Sequence, residues 1–321
     1  MRQALLRITI SLAFIGLLFY LVRDDIPQIV HALRNVHKPL LALAVLISLS
    51  TVFILSKRLQ LIFAAEDMNV RFFESSNLTF IGYFFNNFLP TSVGGDIVKM
   101  MCASRLTGNP VKSVTSIMMD RIFGLFTFIV IPSVSFLFLL KKIGNPTVPV
   151  IIYSCLGAAI FCFVLLFNRN IARRFKFIEH FLNFLHVGQK ARQIYDGLHN
   201  FKNHKGVWAE AILLSILGQT ISIFVLYLMA RALGAQAPIV YFYLLVPVVH
   251  LLSMLPSLNG LGIRESAYTY FLAPYIGREY AVALGVLWLG QLFILSLIGG
   301  IIYLVRHDYH VRFGKRAEGL T

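Results

Sequence analysis

The chain has 321 residues, of which 58% are hydrophobic and 13% are charged, and its mean hydropathy is +0.76. Soluble globular domains carry about 25% charged residues, so this composition excludes a soluble catalytic domain as the main part of the chain. The formal net charge of +15 does not indicate nucleic acid binding, because the basic residues are concentrated beside apolar stretches.

Apolar stretches without charged residues recur along the whole chain. A helix needs about 20 apolar residues to cross the hydrocarbon of a bilayer. The first stretch, residues 8–22, also fits a signal peptide, but no small-residue cleavage site follows it, so we predict an uncleaved first span. Seven further stretches cover residues 39–56, 75–95, 122–140, 143–168, 211–230, 239–263 and 280–305. This repetition predicts an all-α polytopic helical bundle, in which residues 1–321 form a single transmembrane domain.

The polar segment 168–206 is strongly basic. It carries eight Lys and Arg residues against two Asp and Glu residues, and the tail after residue 305 is basic as well. Loops rich in Lys and Arg stay in the cytoplasm, so we predict that the N-terminus, this segment and the C-terminus lie on the cytoplasmic face of the inner (plasma) membrane. An apolar stripe at helical spacing within the segment indicates a helix that lies in the membrane interface or packs on neighbouring protein.

The charge rule also predicts stretches that enter the membrane and return to the same side. Lys57, Arg58 and Arg71 precede the stretch 72–96, and Lys99, Arg105 and Lys112 follow it. Both ends of this stretch are therefore assigned to cytoplasmic loops, and the stretch is predicted to be re-entrant. Residues 234–278 must start and finish outside, as a helical hairpin or a second re-entrant element.

Each of these two stretches contains proline followed by glycine. The residues concerned are Asn87, Pro90, Gly94 and Gly95 in the first, and Pro256, Asn259, Gly260 and Gly262 in the second. Proline and glycine should break both helices and expose polar backbone groups, which a bilayer tolerates only beside a cavity or within protein. Two ordinary surface loops are the alternative. Paired interrupted helices mark transporter sites between inverted repeats, here the halves 1–167 and 207–305.

Six charged residues lie in or beside the apolar stretches, where charge is costly and indicates function. They are Asp96, Lys99, Asp120, Arg121, Arg264 and Glu265. We predict that they bind a lipid headgroup, with Arg264 on the phosphate; the alternative is that they neutralise neighbouring elements. Neighbouring residues on a helix do not face each other, so we expect Arg264 to pair with Asp96 or a lipid phosphate rather than with Glu265. His250 is predicted to be a hydrogen-bonded packing residue.

Three motifs follow one another along the chain. They are Asn-Phe-Leu-Pro-Thr-Ser-Val-Gly-Gly-Asp at 87–96, Asp120-Arg121 followed by Gly124-Leu125, and Pro-Ser-Leu-Asn-Gly-Leu-Gly-Ile-Arg-Glu at 256–265. Together they resemble the membrane region of the lysylphosphatidylglycerol synthase/flippase family, whose stand-alone members lack the soluble synthase domain. The resemblance implies translocation of an aminoacylated or otherwise modified anionic lipid, such as lysyl-phosphatidylglycerol, between leaflets. It also implies that membrane phospholipids are the binding partners.

Two other functional classes compete with lipid translocation. A membrane-embedded lipid-modifying transferase, such as a phosphatidylglycerol lysyltransferase, would need a nucleophile–base pair or a metal cluster, and the sequence shows neither pattern. An accessory subunit of a lipid or glycan synthesis enzyme would have that enzyme as its partner. After Val305 16 residues remain, too few for an aminoacyl-transferase fold. The sequence therefore predicts a protein that is not an enzyme and that uses no cofactor, metal ion or nucleic acid.

Overall fold

The computed structural model describes residues 16, 20, 23–89, 94–139, 154, 157, 205–254 and 260–309. Within these ranges the chain forms α-helices and two single-turn 3-10 helices, and no β-strand. The α-helices are α1 (Ile26–Arg34), α2 (Lys38–Ala65), α3 (Phe72–Phe88), α4 (Gly94–Thr107), α5 (Pro110–Leu139), α6 (Lys205–Ala232), α7 (Ile239–Leu252), α8 (Ile263–Ile276) and α9 (Arg278–Val305). The predicted all-α fold is confirmed. The predicted spans 8–22 and 143–168 and the basic segment 168–206 lie almost entirely outside the described residues.

Four of the described helices, α2, α5, α6 and α9, are long and apolar enough to cross a membrane. Each has 28 or 30 residues. At 1.5 Å per residue this is about 42 Å or more, against about 30 Å of bilayer hydrocarbon. The prediction of a multi-pass membrane bundle is therefore confirmed.

Five basic residues that the charge rule assigns to loops lie within helices, including Arg105 of α4 and Lys112 of α5. Lys57 and Arg58 belong to α2, which continues to Ala65, and Lys99 belongs to α4. Arg58 and Lys99 are buried, at 5% and 6% exposure, because an ion pair with Asp120 offsets the cost of their charge. The prediction that these residues lie in loops is wrong. An apolar stretch of the sequence ends at the first charged residue, whereas a helix continues through a charged residue that forms a buried ion pair.

The other helices of the membrane part are short and come in two pairs, α3 with α4 and α7 with α8. Helices α4, α7 and α8 have 14 residues each. This is about 21 Å, too short to cross the hydrocarbon alone. In the second pair, Gly260 and Gly262 have φ angles of 74° and 83°, which favour glycine. Both pairs are interrupted at the predicted breaks, although Pro90, Pro256 and Asn259 themselves lie outside the described residues.

Two sets of four helices share the same order of lengths. Helices α2 to α5 are long, short, short and long, and α6 to α9 repeat that order. The number of residues from the start of a helix in the first set to the start of its counterpart in the second is the same for all four pairs to within two residues. The N–H of His37, just before α2, donates to the carbonyl of Ala232 at the end of α6 (2.8 Å). Nη1 of Arg58, towards the end of α2, donates to the hydroxyl of Ser215 near the start of α6 (2.8 Å). The counterparts α2 and α6 therefore run antiparallel, so the two sets have opposite orientations.

The first short helix of each set packs against the last long helix of the other set. Helix α3 packs on α9, and its counterpart α7 packs on α5, the counterpart of α9. In the first contact, the hydroxyl of Ser296 donates to the carbonyl of Tyr83 (3.1 Å); in the second, the rings of Phe128 and His250 lie 5.7 Å apart. The largest apolar cluster draws mainly on α6 to α9 and includes the fully buried Tyr268. This packing between the two sets brings Tyr83 of α3 and His250 of α7 to one internal cavity.

Helices α3 and α9 approach closely at Gly299, where a Cβ atom would overlap the carbonyl group of Phe80. We expect Gly299→Ala to destabilise the detergent-solubilised protein by about 1–3 kcal/mol, because the overlap forces the two helices apart. Gly290→Ala in the same helix is the matched control, since a Cβ atom there meets no other atom within 4 Å. The thermal unfolding temperature of the Gly290→Ala protein should stay the same or rise, because alanine favours the helical conformation over glycine. Equal shifts for the two variants would contradict a stabilising role for this close crossing.

Candidate functional site

A cavity of about 320 Å³ lies inside the bundle and is lined by α2 to α7 and α9. Both sets of helices contribute to its wall, so it lies at their interface. Five charged side chains line it together with polar and apolar ones: Arg58, Asp96, Lys99, Asp120 and Arg121. Charge inside the membrane part of a protein is costly and indicates function, so this cavity is the candidate site.

Asp120 of α5 holds two basic side chains at the centre of the cavity. Its Oδ1 accepts hydrogen bonds from Nε and Nη2 of Arg58, both at 2.8 Å, and its Oδ2 accepts one from Nζ of Lys99 at 3.3 Å. Nη1 of Arg58 also donates to the hydroxyl of Ser215 (2.8 Å). The three charged side chains are at most 11% exposed. A single carboxylate therefore ties α2, α4 and α5 together, and Arg58 extends the network to α6.

Asp96 and Arg121 form a second ion pair in the cavity. Asp96 is the third residue of α4, where the N-terminus of the helix favours negative charge, and Nε and Nη2 of Arg121 both contact its Oδ2. The side chain of Arg121 is 30% exposed and that of Asp96 is 10% exposed. Arg121 is thus the more exposed partner of this pair, and Asp96 is nearly buried. Four of the six charged residues singled out from the sequence meet in this cavity.

Gly95 allows the start of α4 to approach α3. A Cβ atom at this position would overlap the carbonyl of Gly82 and the side chain of Asn86. The N–H of Gly95 donates to Oδ1 of Asn86 (2.9 Å). Asn87, the next residue of α3, donates to the carbonyl of Leu292 in α9 (3.1 Å). The break between α3 and α4 is therefore fixed by specific contacts, and it brings the first turns of α4 to the cavity.

Arg264 pairs with Glu265, contrary to the prediction from the sequence. Nη2 and Nε of Arg264 donate to Oε1 of Glu265 (2.9 and 3.1 Å), while Oε2 of Glu265 accepts the N–H of Gly262 (2.7 Å). Both residues are buried, at 4% and 7% exposure, and neither lines the cavity. The predicted Arg264–Asp96 pair is wrong: the spacing rule describes Cβ directions, whereas the long arginine side chain folds back at the first turn of α8. Asp96 pairs with Arg121 instead.

His250 is a hydrogen-bonded packing residue, and that prediction is confirmed. Its Nε2 lies 3.1 Å from the hydroxyl oxygen of Tyr268, and its ring stacks on Trp288 with the centroids 5.7 Å apart. The ring also lines the cavity, so it forms part of the wall while being held by its neighbours.

Sequence reasoning missed Arg58, Ser215 and Gln291 as cavity residues. Residues 59–65, which follow Arg58, are again mostly apolar, and this resumption of the pattern is the signal that could have placed Arg58 inside a helix. The hydroxyl of Thr51 and Oε1 of Gln291 line the cavity, and within the described ranges they are buried without a hydrogen-bond partner. Among the described residues, no group of His, Cys, Asp and Glu side chains is arranged to hold a metal ion.

Long apolar helices around a charged internal cavity define a multi-pass membrane protein with a polar site inside its bundle. The profile described as the lysylphosphatidylglycerol synthase TM region matches residues 4–300. The chain therefore belongs to the lysylphosphatidylglycerol synthase TM family, which confirms the resemblance of its motifs and supports a membrane lipid-related function. A search of curated proteins finds no match to the chain.

Proposed function

We propose that this protein translocates the headgroup of a membrane phospholipid, either anionic or aminoacylated, between the two leaflets. The observation that carries the proposal is the charged cavity of about 320 Å³ inside a bundle of potential membrane-crossing helices. Polar groups cross hydrocarbon at high cost unless they are hydrogen-bonded. A cavity inside the bundle supplies those hydrogen bonds while the acyl chains stay in lipid.

The headgroup phosphate would bind to the basic side chains of the cavity. Arg121 is the most exposed of these charged side chains, and its planar guanidinium can exchange the carboxylate of Asp96 for a phosphate. Lys99 is more buried and can donate to phosphate as well as to Asp120, because an ammonium has three donors. Arg264 and Glu265 would act indirectly, by fixing the first turn of α8.

The cavity would open to each leaflet in turn, because the two sets of helices are proposed to be inverted repeats. Their opposite orientations would direct one broken pair towards each membrane face. Each pair would then be re-entrant, with its break beside the cavity rather than in lipid. Rocking of one set against the other would move the opening from one leaflet to the other.

We further propose that both termini and the segment 168–206 face the cytoplasm of the inner membrane, because their Lys and Arg residues exceed their acidic residues. Cysteines placed at Lys190 and Lys315 should react with an impermeant thiol reagent after the membrane is opened. Labelling of either position in intact cells would contradict this orientation.

The proposed transport can be tested with the purified protein in liposomes that contain a phospholipid labelled on its acyl chain. The expected result is that label in the inner leaflet becomes accessible to an impermeant quencher at a rate that depends on the protein. Ser222→Phe should lose most of this transport, because the ring fills the cavity without changing a charge. Leu213→Phe in the same helix is the control, since Leu213 is 65% exposed and faces away from the packed interior.

The outcomes separate the three functional classes. Transport that Ser222→Phe blocks and Leu213→Phe preserves supports a translocator. A chemically altered lipid in the same liposomes would indicate an enzyme. Neither transport nor product would indicate an accessory subunit, and equal transport by both variants would place the path elsewhere.

A further inference from the structure

The charged side chains that line the cavity do not cancel one another. Three are basic and two are acidic, so the described lining carries one excess positive charge: Arg58, Lys99, Arg121, Asp96 and Asp120. In the sequence, the segments 90–93 and 255–259 link α3 to α4 and α7 to α8, and they contain no charged residue. His250, which is hydrogen-bonded to Tyr268, is counted as neutral.

The excess charge lies at the centre around Asp120. Arg121 and Asp96 balance each other, and outside the lining Arg264 and Glu265 do the same. Asp120, in contrast, faces both Arg58 and Lys99, whose side chains are 6% and 8% exposed. A buried charge without a counter-charge is costly, so binding of an anion would stabilise this centre.

We propose that the cavity selects a headgroup whose phosphate gives it net negative charge and which carries no cationic substituent. This inference rests on the proposed function and narrows its substrate class. A phosphodiester anion would cancel the excess positive charge at Asp120. A lysyl ester brings two ammonium groups with its phosphate, so it would add positive charge to a site that is already positive, and like charges repel strongly at low dielectric.

Hydrogen-bonding groups in the cavity also suit a phosphate. Nζ of Lys99 has one acceptor among the described residues, at 3.3 Å, whereas an ammonium can donate three hydrogen bonds. The buried hydroxyl of Thr51, which lacks a partner in the described part of the chain, can donate to a phosphate oxygen. An anion between these groups would satisfy donors that the protein leaves unused.

The test compares three acyl-labelled lipids in liposomes of otherwise uniform composition: phosphatidylglycerol, phosphatidylethanolamine and lysyl-phosphatidylglycerol. We expect phosphatidylglycerol to move fastest and lysyl-phosphatidylglycerol slowest, with at least about a tenfold difference in rate, or ~1.4 kcal/mol in the barrier. Movement of lysyl-phosphatidylglycerol at an equal or higher rate would overturn the charge inference and leave the proposed translocation intact.

A charge variant links this preference to the cavity. Lys99→Gln removes the excess charge, so the rate ratio between phosphatidylglycerol and lysyl-phosphatidylglycerol should fall towards one. Lys57→Gln removes an exposed cation from α2 and should leave the ratio unchanged. An unchanged ratio in a folded Lys99→Gln protein would overturn the assignment to this centre.

A binding measurement decides the question if a variant fails to fold or no lipid moves. The unfolding temperature of the wild-type protein in neutral detergent should rise more with short-chain phosphatidylglycerol than with its lysyl ester. An equal or larger rise with the lysyl ester overturns the charge inference. Selective stabilisation without transport of any lipid overturns the translocation function and keeps the charge inference, whereas an equal effect of inorganic phosphate would show that the site takes a soluble anion rather than a lipid.

Discussion

Asp120→Asn is expected to destabilise the protein by about 3–5 kcal/mol, the loss typical of breaking a buried ion pair from one side. The substitution keeps the size of the side chain but leaves Arg58 and Lys99, at 5% and 6% exposure, opposite a neutral amide. The thermal unfolding temperature and the yield of monodisperse protein in detergent should both fall sharply. Transport should be lost with them, because the same carboxylate organises the cavity.

Asp67→Asn is the matched control for this variant. The side chain of Asp67 is 91% exposed, and its contact with Lys112 is long, at 3.8 Å. Its φ angle of 56° is one that asparagine adopts readily, so the change should stay within about 0.5 kcal/mol. Adding Lys99→Gln to Asp120→Asn should recover part of the loss, because one buried cation disappears. Wild-type stability in Asp120→Asn would show that the carboxylate does not hold the two cations.

The long helices and the helix breaks were predictable because their causes are local. Hydrocarbon imposes a length and an apolar composition on each crossing helix, and both are visible in a window of sequence. Proline and glycine in the sequence predicted the breaks, and at Gly95 the missing Cβ atom lets α4 approach α3. Hydropathy could not give the true end of α2, since Arg58 interrupts the window but not the helix.

The pairing of charges was not predictable, because each pair depends on how distant elements meet. Asp120 and Arg58 are far apart in the chain, and their bond exists because α2 packs beside α5. The charge rule assigns such an arginine to a loop, although a buried carboxylate can hold it inside the bundle. At Arg264 the reverse occurred: the partner was the neighbouring residue, which the spacing rule excludes for mid-helix positions.

A double-mutant cycle at Arg264 and Glu265 should show strong coupling between the two side chains. Arg264→Gln and Glu265→Gln each leave one buried charge without its partner, so each should cost about 3–5 kcal/mol in unfolding free energy. The double variant removes both charges, and the amide oxygen that Glu265→Gln puts in place of the carboxylate can still accept the N–H of Gly262. Its loss should therefore be smaller than the sum of the single losses, with a coupling energy of about 0.5–3 kcal/mol.

Transport by the double variant separates a positioning role from direct ligand binding. The Arg264–Glu265 pair is buried and lies outside the cavity lining, so a folded double variant should retain most of the wild-type transport rate. If Arg264 binds the lipid phosphate directly, transport should be lost even where the stability is restored. Transport rates normalised to the amount of folded protein in the liposomes distinguish these results. A protein that lacks the side chain that binds the lipid phosphate remains inactive however well it folds.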